Sequence, residues 1–113
     1  MTVQNLADAL SLTGLTGNGE AMARTVTGGY TGDLLSWVMG RAQADACWFT
    51  IMSNINVAAV ALLNDLACVV LCENVMPDEA LLARARQENL ALFTSPLSCF
   101  ALAGQAYALL ARP

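Results

Sequence analysis

The chain has 113 residues, enough for one hydrophobic core and too few for two. Apolar residues make up 57% of it and charged residues 12%, about half the usual charged share, so burying the surplus in a homodimer interface is one expectation. The net charge is −4 with five arginines and no lysine; no basic stripe exists to follow a phosphate backbone, which excludes a nucleic-acid partner.

The opening "MTVQNLADAL" lacks a basic segment followed by an apolar one, so no signal peptide is expected and a cytoplasmic location is the default. Leu6, Ala7 and Leu10 predict a short helix over 3–10 with Thr2 as its cap. "SLTGLTGNGE" predicts an extended piece ending in a Gly/Asn turn, and "ARTVTGG" a second extended piece. Leu34, Leu35, Val38 and Met39 share a face, which predicts a helix over 33–42 capped by Thr31 or Asp33. "ACWFTIM" reads as a strand, and "SNINVAAVALLND" as an apolar helix opened by Ser53, Asn54 and Asn56. "LACVVLC" is a continuous apolar run, as in a strand buried on both faces. The apolar stretch over 57–72 is broken by Asn64 and Asp65, which excludes a membrane span. "PDEALLARARQEN" is a helix with Pro77, Asp78 and Glu79 at its start and Arg84 and Arg86 in its second half. "LALFTS" is a strand, and "PLSCFALAGQAYALLA" a last helix. This alternation predicts an α/β fold, a three-layer domain with a mostly parallel sheet and helices on both faces. It is expected to be a single domain over 1–113, with an N-terminal helix and short extended segment over 1–23 and the core over 24–110.

In such a sheet the ligand crevice lies beyond the carboxyl ends of the strands. The loops expected there are 27–33, 53–56, 72–74 and 94–98, all small and polar, and three run into helix N-termini that favour anions. "GGYTG" matches neither a dinucleotide fingerprint nor a lysine-bearing phosphate loop. Gly28 and Gly29, with Tyr30 beside them, either approach a ligand or permit positive φ in a tight strand-to-helix turn. Thr27, Thr31 and Asp33 are caps or ligand contacts. Ser53, Asn54 and Asn56 exceed what one helix start requires, which favours a ligand role for Asn54 or Asn56. Thr94, Ser95 and Ser98 flank Pro96 and include at least one cap. Arg24 is the cation close to this edge, able to grip a phosphate bidentately or to pair with a surface acid. Glu73 and Asn74 could receive a ribose hydroxyl or form a solvated loop. Trp37 and Trp48 read as core or interface residues.

Catalytic residues are not expected, because the chain lacks histidine and lysine, the usual general base and Schiff-base nucleophile. The four cysteines include no C-x-x-C pair, so neither a metal site nor a disulfide framework is expected. No cofactor is expected beyond an adenine nucleotide as a candidate ligand.

Residues 24–110 resemble the DRTGG-domain family through "RTVTGGYTGDLLSWVMGRA", "WFTIMSNINVAAVALL", "MPDEALLARARQENLALFTSPLS" and "FALAGQAYALL". The family's name motif falls on Arg24, Thr25, Thr27, Gly28 and Gly29; Ala23 stands where the family has an acid, and Val26 separates the threonines. The chain looks like the stand-alone bacterial form. The family is similar to the N-terminal domain of HPr kinase/phosphorylase and is found beside CBS domains in regulated pyrophosphatases and in phosphotransacetylases. The resemblance implies dimer formation and a non-catalytic regulatory or ligand-sensing role, with an adenine nucleotide or other small anion bound at the glycine-loop edge. The alternative is a homodimeric protein-interaction or assembly module with no small-molecule ligand, suggested by the low charge and the alanine-rich helices around 58–63 and 101–110.

Overall fold

The structure, a computed structural model, describes residues 1–111. Its elements are α1 (Val3–Ala9), β1 (Thr13–Thr16), α2 (Glu20–Ala23), β2 (Gly28–Thr31), α3 (Leu35–Arg41), β3 (Ala46–Thr50), α4 (Asn56–Leu63), β4 (Cys68–Leu71), α5 (Glu79–Gln87), β5 (Leu92–Thr94) and α6 (Cys99–Leu110). The sheet runs β1-β5-β4-β3-β2. Strands β2 to β5 are parallel neighbours, and β1 pairs antiparallel with β5.

Three successive crossovers step across the sheet in one direction, and with a fixed hand each must place its helix on the same face. Side chains alternate between faces accordingly. Trp48, Val69, Leu71 and Leu92 pack with Val38 of α3, Val57 of α4 and Leu81 of α5. Cys47, Phe49, Cys68, Val70 and Phe93 point the other way, against Leu6 of α1 and Leu102 of α6. Covered on both sides, every residue of β3 and β4 is buried, which is why "ACWFT" and "CVVL" are nearly uninterrupted apolar runs. The three-layer α/β expectation holds, with α1 and α6 forming the layer opposite α3, α4 and α5.

Side-chain caps start two of the helices. The Thr2 hydroxyl accepts from the Asn5 N–H, and the Asn5 side chain returns the bond to the Thr2 N–H, a complete capping box for α1. Ser98 caps α6 by accepting from the Ala101 N–H at 3.2 Å.

Four expectations are corrected. The segment Gly28–Thr31 is not a strand-to-helix turn but the edge strand β2 itself, and neither Gly28 nor Gly29 has a positive φ. The glycines with positive φ are Gly17, at 99°, and Gly19, at 51°. Helix α3 begins without a side-chain cap, so neither Thr31 nor Asp33 has that role. Helix α4 also lacks a capping side chain at Ile55; the Asn54 side-chain Oδ1 instead accepts from the Asn56 N–H at 2.8 Å. The short α2 bridges the two pieces expected to be extended, taking Glu20 from the end of the first and Ala23 from the start of the second.

Candidate functional site

At the carboxyl end of the parallel strands the loops bond to one another. One Asp33 oxygen accepts from the Thr50 hydroxyl at 2.7 Å and from the Ile51 N–H at 3.0 Å. The Asp78 N–H donates to the Ser53 carbonyl at 2.9 Å. Thr94 donates its hydroxyl to the Val75 carbonyl at 3.0 Å, and the Ser95 hydroxyl accepts from the Leu97 N–H at 3.2 Å. Glu73 and Asn74 both adopt left-handed backbone, φ 57° and 62°. That turn aims their N–H groups at the carbonyls of Leu97 and Ser95, each 2.9 Å away. The structure therefore brings Asp33, Ser53, Asn54, Asn56, Glu73, Thr94, Ser95 and Ser98 to one end of the sheet, as expected. Most of them are spent on folding the loops. No buried side-chain polar atom among the described residues lacks a partner, so nothing buried there awaits a ligand.

Arg24 lies at the opposite end. Its guanidinium donates to Asp45 Oδ1 from Nη2 at 2.9 Å and from Nε at 3.2 Å, and Nη2 also reaches Asp65 Oδ1 at 2.9 Å and the Asp65 carbonyl. Asp45 immediately precedes β3 and Asp65 lies in the turn three residues before β4, at φ 66° and 55°. Burial alone would lower the Arg24 pKa, but the hydrogen bonds and charges of the two aspartates more than reverse this and raise it. Arg24 therefore pairs with acids rather than facing the carboxyl-end crevice. Thr27 sits near the same end, its N–H donating to the Asp45 carbonyl at 3.1 Å.

The glycine segment lines something else. Residues 27–31 form one side of an open groove of about 610 Å³, with Phe49 as its floor and Ala103, Ala106, Tyr107 and Leu110 of α6 opposite. That volume is within the range of small-molecule sites, about 300–1,000 Å³. Two features keep it open. Gly29 has no side chain; a Cβ there would lie 3.5 Å from the Cys47 carbonyl and 3.8 Å from the Phe49 ring. The facing residues of α6 nearest the sheet are alanines. As β2 is an edge strand, its outer backbone N–H and C=O groups have no strand partner. None of the described residues lining the groove is charged. The glycines singled out in the sequence do line this groove, as part of an edge strand rather than of a tight turn. Ala103, Ala106, Tyr107 and Leu110 were missed; their helical spacing of three and four was the available signal.

The four thiols lie in or at the edge of the core on the α1/α6 face of the sheet. Cys47 faces Cys68 across β3 and β4, and the Cys99 thiol lies 2.8 Å from Cys72 Sγ. All four are free. Burial raises the pKa of Cys47, Cys72 and Cys99, and the neighbouring thiol raises those of Cys47 and Cys72 further. Among the described residues no helix is long and apolar enough to cross a membrane.

No family model matches the chain, and no curated protein matches it. A solved structure does: the CBS and DRTGG domains of the regulatory region of Clostridium perfringens pyrophosphatase, complexed with its activator diadenosine tetraphosphate. The TM-score is 0.71 at 13% sequence identity, over 92% of this chain and 45% of that one. The two share a fold, and the chain is similar to a part of a regulatory region, spanning less than half its length.

Proposed function

We propose that this chain is a non-catalytic regulatory module that binds a small molecule in the groove between β2 and α6. The observation that carries the reading is the groove itself: an uncovered strand edge, opened by Gly29, facing Ala103, Ala106, Tyr107 and Leu110 of α6. A strand edge offers alternating donors and acceptors, and a planar nucleobase presents the complementary pattern on its rim. An adenine nucleotide is the first ligand class to test. It is supported by that match and by the likeness to a regulatory region crystallised with diadenosine tetraphosphate. The uncharged lining fits the base inside the groove and the phosphates toward solvent.

The test is thermal denaturation with adenosine, AMP, ATP and diadenosine tetraphosphate, on the native chain and on Gly29→Leu, whose side chain would fill the groove. Ligand at a hundredfold excess over its Kd stabilises by about 2.7 kcal/mol. A midpoint shift in the native chain that vanishes in Gly29→Leu is expected. No shift at millimolar concentration with any of the four would overturn the adenine reading.

A second reading, a homodimeric assembly module, is favoured by the same free edge. Strand β2 carries no charge, proline or bulge to discourage pairing with another strand. Light scattering decides it: a monomer at high micromolar concentration removes this reading.

A further inference from the structure

The carboxyl end of the sheet, whose polar groups are tied up in its own loops, is apolar on its outside. Every loop leaving a parallel strand presents a large hydrophobic side chain to solvent: Leu34 after β2, Ile51 and Ile55 after β3, Met76 after β4, and Leu97 and Phe100 after β5. Phe100 is 90% exposed. Scattered apolar side chains on a surface mean little, but a group gathered at one end of a sheet marks an interaction site. These loops are held together rather than loose. Ile51 is bonded to Asp33, Asp78 to Ser53, Asn74 to Ser95 and Glu73 to Leu97, each at 2.9–3.0 Å. Four adjacent strands span three intervals, about 14 Å, which is the length of an α-helix of about nine residues.

Charge narrows the partner. The charged side chains at this end, Asp33, Glu73, Asp78 and Glu79, are all acidic and exposed. The described arginines lie elsewhere: Arg24 at the amino end of the strands, Arg41 over the Trp37 ring in the last turn of α3, and Arg84 and Arg86 late in α5. An anionic surface would be repelled. A second copy placed about a two-fold axis would set the same acids against themselves. We infer that this face docks a basic amphipathic helix of a partner protein, whose apolar stripe covers Leu34, Ile51, Ile55, Leu97 and Phe100 while its cationic flanks meet the acids. The site is separate from the groove, since none of these residues lines it.

The probe is a fluorescently labelled Leu/Lys amphipathic peptide of about three turns, with a Leu/Glu peptide of the same apolar pattern as control, read by anisotropy. Phe100→Asp suits the fold, because residue 100 lies in the first turn of α6, where an acid is favourable. Binding of the Leu/Lys peptide that weakens about tenfold or more in Phe100→Asp, and also in Leu34→Asp, is expected. Leu63→Asp, at the far end of α4 and 69% exposed in the native chain, should leave it unchanged. Equal binding of the Leu/Glu peptide, equal loss in Leu63→Asp, or no binding at high micromolar peptide would overturn the inference. So would a dimer, formed without peptide, that Phe100→Asp dissociates, for then the occupant is a second copy. Nucleotide shifts persisting in Phe100→Asp would keep the groove reading standing whichever way the peptide result falls.

Discussion

Two glycine-to-alanine changes, twelve positions apart, should have opposite effects on stability. At Gly17 the backbone has φ 99°, and a Cβ would lie 2.7 Å from the Ala91 Cα, a backbone atom that cannot step aside. Such a φ costs a residue with a side chain about 1–3 kcal/mol, and the overlap adds a similar amount, for a loss of about 2–6 kcal/mol. At Gly29 the φ is ordinary and the new methyl meets its neighbours at 3.5 and 3.8 Å, normal contact distances. There the change removes the entropy penalty of glycine in a regular element, a gain of about 0.5–1 kcal/mol. For 113 residues, an unfolding entropy of about 2.1 cal/mol/K per residue makes 1 kcal/mol worth about 4 °C. Gly17→Ala should therefore lower the melting midpoint by about 8–24 °C, and Gly29→Ala should raise it by about 2–4 °C. Differential scanning calorimetry with urea titration separates them. If Gly29→Ala destabilises the chain, or Gly17→Ala does not, the assignment of the "GG" pair to a relaxed strand and of Gly17 to the strained turn is wrong.

Two further outcomes follow from the charges and the thiols. Arg24→Ala should cost about 1–2 kcal/mol, measured by urea denaturation. The figure is held down because the guanidinium and both partner carboxylates remain partly exposed, and the loss should shrink in high salt; an unchanged midpoint would refute the clamp. The thiol contribution to stability should be constant between about pH 7 and pH 9 and fall above it. Unfolded thiols ionise near 9.0, whereas burial holds Cys47 and Cys72 protonated in the fold. The unfolded chain then binds fewer protons, and stability declines by about 1.4 kcal/mol per pH unit for each such thiol. Urea titrations between about pH 7 and pH 10 test this; Cys47→Ala should reduce the slope, and an unchanged slope would refute the assignment.

The layered fold could be read from the sequence because each layer leaves a periodic mark. Strands buried on both faces must be apolar throughout, as "CVVL" is, and Pro77 with its following acids marks the start of α5 before any contact is known. The site was legible only in part. Glycine reports conformational freedom, closeness of approach or simply the absence of a side chain, and a sequence does not say which. At Gly29 it is the last, an empty space above Phe49. The polar residues at the carboxyl end were correctly grouped, but a hydroxyl that caps a turn and one that grips a ligand are the same residue type. Only the partners of Thr94, Ser95 and Asp33 separate the two roles. Arg24 was misplaced for a similar reason. Its acids, Asp45 and Asp65, lie 21 and 41 residues away, beyond the reach of any local pattern.

These placements give a physical account of the stretch "RTVTGG". A parallel sheet with one face covered by α5 after β4, and the other by α6 after β5, has its natural opening between those two strands. Here Glu73 and Asn74 fold back across that gap onto Leu97 and Ser95, with Cys72 against Cys99 below them. These loops bond to each other across the usual opening, and the groove described above lies instead on the free side of β2. Arg24, through Asp45 and Asp65, fixes the amino ends of the neighbouring strands where β2 enters the sheet. Gly28 and Gly29 then run along the groove wall without filling it. Arginine anchors the strand, and the glycines leave its edge bare. The alanine at position 23 is compatible with this arrangement, because the acids that hold Arg24 come from the turns before β3 and β4 and not from its own sequence neighbour.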